Sequence, residues 1–211
     1  MRAHLGFALA LLLSISGPLS SSASAGQLSP DYVRHLTAVG FDPAGDLFAV
    51  RIDVTSAVPV IVVREIATGA RVAEFSVPSK QREERALARL KKKYGIDLAN
   101  VHQGPVSPDG KYTLMGAPNR GGKEYRILVM EGARVGELHR VPLKRDEKTK
   151  VRPTAMLKEV LWSKDGSRLL VIINEKFVSE RESYEVDRPT PLRFKRWKIK
   201  WYRPESPQKK P

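Results

Sequence analysis

The sequence predicts a mainly β protein made of about three antiparallel four-stranded repeats, with one amphipathic helix inserted between the first and the second. Three observations carry that expectation. A turn pattern recurs at residues 39–50, 104–115 and 160–171, each copy reading apolar residue, Ser or Asp, Pro or Lys, a small or acidic residue, Gly, then an apolar alternation. The copies lead into β-branched segments of period two, the spacing of a strand with one buried face. One stretch alone, 79–95, combines helical spacing with good caps.

Residues 1–25 have the organisation of an export signal. Arg2 is a short positive region, residues 5–15 are an apolar run, Gly17-Pro18 breaks it, and Ala23-Ser24-Ala25 is a small-x-small site with cleavage expected after Ala25. The run falls short of the roughly 20 residues that cross a bilayer. The alternatives are an uncleaved anchor or a buried helix. No twin-Arg pair precedes it, so the general secretory route is expected. No later stretch is long and apolar enough to span, which makes the expected mature chain, from Gly26, soluble and periplasmic or secreted.

A single β-repeat domain is expected over 26–203. In the first copy Asp42, Pro43 and Gly45 make the reversal: Pro presets φ, Asp bonds the backbone ahead of it, and Gly takes a positive φ. Residues 59–66 and 71–77 then read as two further strands around Ala67-Thr68-Gly69. Next comes the helix. Ser79 is the N-cap, Glu83 and Glu84 favour the positive end of the dipole, Lys91 to Lys93 the negative end, and Gly95 suits the position after the last turn. Its narrow apolar stripe, Ala86, Leu87, Leu90 and Tyr94, would lie on a sheet or on a partner. The second copy turns at Asp109-Gly110 and continues as strands at 125–130 and 134–141. The third turns at Asp165-Gly166, runs through apolar 169–173, has a faint strand signal at 183–186, and would close with 194–202. The mixed charges of 144–152 and 179–188 read as exposed loops or a projecting hairpin, and 204–211 as a disordered basic tail.

The Ser107-Pro108-Asp109-Gly110-Lys111-Tyr112 hairpin, with the Ile-Val strand and Thr-Gly turn at 60–69, resembles the repeats of TolB-type, WD40-like β-propellers of bacterial periplasmic proteins. The likeness covers about twelve residues per copy, and the rest of each blade in pattern. More loosely, the helix ending in Lys93-Tyr94-Gly95-Ile96 is similar to that of a group of predicted secreted bacterial proteins of unknown function. The resemblance implies a propeller-like binding scaffold. Propellers close with four to eight blades, so three units imply an open or incomplete propeller. A partner could supply a further blade, the sheets could form an open stack, or they could wrap into an irregular barrel.

Composition narrows the function. The chain has 211 residues, 41% hydrophobic, 37 Lys and Arg against 23 Asp and Glu, a net charge of +14 and no Cys. That is enough for a core and excludes a disulfide framework, thiolate metal sites and a cysteine nucleophile. The positive balance points to an anionic partner or surface. It is densest at 192–211, where Arg193, Lys195, Arg196, Lys198 and Lys200 interleave with Trp197 and Trp201. Read as a strand, this run puts Trp197, Ile199 and Trp201 on one face and Arg196, Lys198 and Lys200 on the other. Such a strand could be an edge protected by lysines, or an anion-binding strip whose Trp stacks on sugars or bases. Arg89 and Lys92 of the helix could add to it. Export makes nucleic acid an unnatural target.

Chemical motifs are sparse. His35, His102 and His139 lack metal-ligand spacing, and there is no nucleophile elbow, P-loop or dinucleotide fingerprint. Hairpin chemistry explains the recurring Asp42, Asp109 and Asp165. The expectation is a non-catalytic envelope module without cofactor or metal that acts through its propeller-like β repeats on another envelope protein, with a homo-oligomer as an option. The alternative is a binder of an anionic envelope polymer, glycan or lipid, through the C-terminal basic-aromatic strand. A hydrolase with an unrecognised site stands last.

Overall fold

The computed structural model describes residues 34–55, 57–147, 149–180 and 182–202. The expected signal peptide and basic tail lie outside them. Strands β1 (Arg34–Phe41), β2 (Leu47–Val54), β3 (Val60–Glu65) and β4 (Arg71–Ser76) form an antiparallel meander, here sheet A. Helix α1 (Lys80–Tyr94) follows. Then come a 3-10 turn at Leu98–Asn100, β5 (Val101–Gln103), and the hairpins β6 (Thr113–Pro118), β7 (Glu124–Glu131) and β8 (Arg134–Pro142). The chain ends in β9 (Thr154–Ser163), β10 (Arg168–Val178), β11 (Ser183–Arg193) and the two-residue β12 (Lys200–Trp201).

The twelve strands make three antiparallel four-stranded sheets, as the repeat predicts, but two of them exchange edges. Sheet B has the order β12-β8-β7-β6 and sheet C the order β11-β10-β9-β5. The run at 194–202 therefore closes sheet B, not the third repeat. The third repeat takes its fourth strand from residues 101–103, which pair with β9 through Val101 and Ser163, His102 and Trp162, and Gln103 and Leu161. The faint signal at 183–186 opens an eleven-residue strand paired along the whole of β10. Its charged half is no exposed loop: Asp187 is 1% exposed. Sheets A and C join through one parallel pair, Arg34 with Val186, into an eight-stranded sheet that does not close into a barrel.

Side-chain alternation fixes how the sheets stack. In β10, Leu169, Val171 and Ile173 face sheet B and pack with Ile127, Val129 and Leu114, while Leu170 and Ile172 face sheet A and meet Leu36, Phe41 and Phe48. All five β10 residues are fully buried. A strand covered on both faces needs such an unbroken apolar run, and each side chain buried this way contributes about 1.5–3 kcal/mol. The far face of sheet A, with Ala49, Ile61 and Val63, is covered by Ala86 and Leu90 of α1. The layer order is α1, A, C, B. Consecutive repeats A and B are thus separated by C, unlike the neighbouring blades of a sequential propeller.

Helix and turns form for the local reasons read in the sequence. The Ser79 hydroxyl accepts from the Arg82 N–H at 3.4 Å, and Gly95 takes φ 68° while its N–H bonds the Lys91 carbonyl. Each repeat turn is the same device. The glycine N–H of Gly45, Gly110 and Gly166 donates to the carbonyl of Asp42, Ser107 and Ser163 at 2.8–3.0 Å. The side chain of that first residue then accepts the N–H five residues on, at 2.7 Å in Leu47, 3.0 Å in Tyr112 and 2.9 Å in Arg168. In the second and third copies Asp109 and Asp165 accept from the Ser107 and Ser163 hydroxyls at 2.6 Å. The Asp42 carboxylate stands where the other copies place a serine hydroxyl.

Candidate binding surface

The three turns gather at one end of the stack. Arg168, at the exit of the third turn, donates from Nε to the Gly45 carbonyl of the first at 3.0 Å. The second and third turns line a shared cleft of about 480 Å³ whose floor is Tyr112 and Phe194 and whose rim carries Asp109, Asp165, Lys164 and Arg196. The hydrogen bond from the Ser107 hydroxyl, with that of the Lys111 N–H, holds the Asp109 carboxyl below the usual range. Burial pushes Asp165 up, but its bonds with Ser163 and Ser167 outweigh this and hold it low. Both stay ionised as turn-closing acceptors, which is their structural work.

Phe194 anchors the chain at this end. Its N–H bonds the Ser167 carbonyl at 2.9 Å, and its ring lies 4.8 Å from Tyr112 and 5.3 Å from Trp162. The segment beyond it departs from the strand that its alternation predicts. Residues Arg196–Lys198 form a 3-10 turn that carries the chain from the end of sheet C to the edge of sheet B. Only Lys200 and Trp201 then pair with β8, opposite Glu137 and Gly136. Gly136 is required there, since a Cβ would stand 2.4 Å from Ile199 Cγ2 and 2.9 Å from Trp201.

The turn rotates Trp197 out of the face it shares on paper with Ile199 and Trp201. Ile199 is buried and Trp201 half-buried, whereas Trp197 is 79% exposed, with Lys195 Nζ 5.6 Å from its ring centre. Arg134 lies over Trp201 at 4.6 Å. A second depression, about 440 Å³, is bounded by Arg134, Arg196, Trp197, Ile199 and Trp201, and shares Arg196 with the turn cleft. Glu131 is the carboxylate inside this group, pairing with Arg196 at 2.9 Å and Arg134 at 3.4 Å. Lys195, Lys198 and Lys200 have no carboxylate within ion-pair distance among the described residues. Arg193 turns the other way, to Asp46 at 3.5 Å. Arg89 and Lys92 sit on α1 beside β4, at the opposite end of the layer order, and do not add to this patch.

A buried polar group that sequence reading missed lies at the junction of β1 and β11. The Asp187 carboxylate accepts from the Leu36 N–H at 2.8 Å, from Asn174 Nδ2 at 2.9 Å and from Lys158 Nζ, and Glu159 accepts from the Ala38 N–H at 3.1 Å. These carboxylates satisfy β1 backbone donors where β11 pairs with it only once. Burial raises the Glu159 carboxyl, and burial likewise raises Glu175 against the opposing pull of Arg188. Every member has a scaffolding partner. Among the described residues no three His, Asp or Glu stand together as metal ligands, and no helix is long and apolar enough to cross a membrane. Comparison with protein-family models and with curated proteins gives no match to this chain.

Proposed function

We propose that this chain is an exported, non-catalytic binding module that holds an anionic polymer of the cell envelope on the surface formed by its C-terminal segment. The observation that carries the reading is Trp197, an indole held out to solvent with Lys195 at its ring, in a depression shared with Arg134 and Arg196. Lys198 and Lys200, next in the chain, have no carboxylate within ion-pair distance among the described residues; Glu131 pairs with the two arginines and Glu137 stands opposite Lys200. An exposed aromatic face costs apolar hydration unless something stacks on it, and the surrounding cations select an anionic ligand. Sugar rings carrying carboxylate, sulphate or phosphate meet both demands. The two depressions joined at Arg196 suit an extended chain more than a single small molecule. The repeat turns, sharing one hydrogen-bond pattern, support kinship with WD40-like repeats, and the stacked sheets act as an open scaffold in place of a closed ring.

The test uses the quenching of tryptophan fluorescence by dextran sulphate, with neutral dextran as control. Of the three tryptophans Trp162 is fully buried, so an exposed-site signal comes chiefly from Trp197. Dextran sulphate is expected to bind with a steep decline between low and moderate salt, as the Debye length contracts to about 10 Å at 0.1 M. Binding followed by titration calorimetry should weaken about five-fold or more in Trp197→Ala, by loss of stacking. It should weaken further in Lys195→Gln/Lys198→Gln/Lys200→Gln. Equal affinity of wild type and both variants sinks the proposal.

A further inference from the structure

We infer that the free edge of sheet A, beside α1, takes up an extended acidic peptide as a fifth strand. The inference is independent of the C-terminal surface. Sheet ends in this fold are β4, β5, β6 and β12. Two are too short to template a partner: β5 has three residues and β12 two. The β6 edge is bordered by residues 105–106, with Val106 bridging Thr113 and Pro105 accepting from the Leu114 N–H, and β6 ends in Pro118. That leaves β4, six residues without proline, paired on one side only among the described residues. Its outward N–H and C=O groups form a ready template for another strand.

The surroundings of β4 specify what that strand should be. Between β4 and α1 lies a groove of about 540 Å³, whose lining includes Val72, Phe75 and Tyr94, the acidic Glu74 and the three cations Arg89, Lys92 and Lys93. Val72 is 42% exposed and unpaired, because the register slips between Val63 opposite Ala73 and Arg64 opposite Arg71. It offers an apolar contact at the lip. The Arg89 guanidinium stands 6.0 Å from the Phe75 ring and Lys93 Nζ 5.0 Å from the Tyr94 ring, so both cations are held over the groove by aromatic faces. The one acidic side chain of β4, Glu74, is already taken by Arg71 at 2.5 Å. Among the described residues Arg89, Lys92 and Lys93 have no carboxylate partner, so an acidic strand complements them. Cations four apart on a helix are spaced about 6 Å along it, close to the roughly 6.6 Å between same-face side chains of a strand. An alternating apolar and acidic strand therefore matches groove and cations together.

The probe is a fluorescein-labelled octapeptide of alternating Val and Glu, followed by anisotropy with the full chain. Four further peptides accompany it: the Val and Lys counterpart, octaglutamate, and two forms N-methylated at either the odd or the even amides. We expect the Val and Glu peptide to bind, the Lys peptide not to bind, and octaglutamate to bind at least about ten-fold more weakly for lack of apolar contacts. One N-methylated form should lose binding and the other keep it, because only one peptide edge faces β4. The variant Arg89→Glu/Lys92→Glu/Lys93→Glu changes exposed side chains only, so its circular dichroism should be native, and its affinity should fall about ten-fold or more. Trp197→Ala should bind the peptide as the wild type does. The inference is overturned by no binding, by octaglutamate binding as tightly, by both N-methylated forms behaving alike, or by an unaffected charge-reversed variant. A dimer that the peptide dissociates would give the edge to a second copy and also overturn it.

Discussion

Replacing Asp187 by alanine tests how sheets A and C are joined. The carboxylate is fully buried and takes the Leu36 N–H at 2.8 Å, Asn174 Nδ2 at 2.9 Å and the Lys158 ammonium. Its removal leaves the Leu36 N–H buried without an acceptor, at a cost of about 1–3 kcal/mol. Asn174 keeps a second acceptor in Glu185 at 3.3 Å and loses less. The Lys158 side chain is 35% exposed and can regain water, so the ion pair is discounted to about 1 kcal/mol. The total is about 2–4 kcal/mol, or about 5–15 °C in Tm for a domain of this size. Urea unfolding followed by circular dichroism, with a thermal melt, measures it. Asp187→Asn keeps an oxygen for Leu36 and should cost about half as much. If the two variants were equally stable, or if alanine cost under about 0.5 kcal/mol, the carboxylate would not be the bridge between β1 and β11.

Two further predictions concern stability. Gly136→Val puts a side chain where Ile199 and Trp201 lie, so β12 should leave β8 at a cost of about 1–3 kcal/mol, with Trp201 emission shifting to the red while the far-ultraviolet spectrum is retained. An unshifted spectrum would mean that β12 is not seated on Gly136. Burial raises the Glu175 carboxyl above its usual 4.5, so the folded chain holds that proton more tightly than the unfolded one. Its contribution is then greatest below the unfolded value and is lost as pH rises through the folded value. Wild type should therefore lose stability relative to Glu175→Gln between pH 4.5 and 7 in paired urea titrations. A constant difference across that range would refute the burial effect.

What the sequence disclosed follows the range of the interactions concerned. The repeat turns and the helix were readable because their hydrogen bonds span few residues: Asp42 reaches Leu47, Ser79 reaches Arg82. The number of sheets followed from the count of hairpins. Which strand closes which sheet did not follow, since β5 meets β9 and β12 meets β8 across some sixty residues and neither carries a local signal of its partner. At 197–201 the Trp-Lys-Ile-Lys-Trp alternation suggests a strand. The chain, however, must cross from one sheet to another, and the 3-10 turn that does so changes the period from two to three and sends Trp197 outward. Asp187 stayed hidden for a different reason. The mixed charge of 179–188 reads as an exposed loop or a projecting hairpin, and only the backbone donors of β1, some 150 residues away in the chain, make a buried carboxylate there favourable.

The edge exchange also ties binding to folding. Sheet C is incomplete without residues that precede sheet B, and sheet B is incomplete without residues that follow sheet C. The closing strand β12 has only two paired residues, held by Ile199 and Trp201 over Gly136 and by the Tyr202 hydroxyl donating to Glu137 at 2.9 Å. It is the least reinforced element of its sheet, and it adjoins the surface that carries Trp197 and the unpaired lysines. A ligand held there binds the closed form and not the frayed one, so it stabilises β12 by mass action, in proportion to its concentration over Kd. Closure in turn presents Arg134 over Trp201 and completes the depression bounded by Arg196. Because β4 belongs to sheet A, whose far face α1 covers, and sheet C lies between sheet A and sheet B, the peptide edge has no share in that linkage. Protection from hydrogen exchange of the Tyr202 amide, which donates to the Val135 carbonyl at 2.8 Å, should rise with dextran sulphate and stay flat with the alternating Val and Glu peptide.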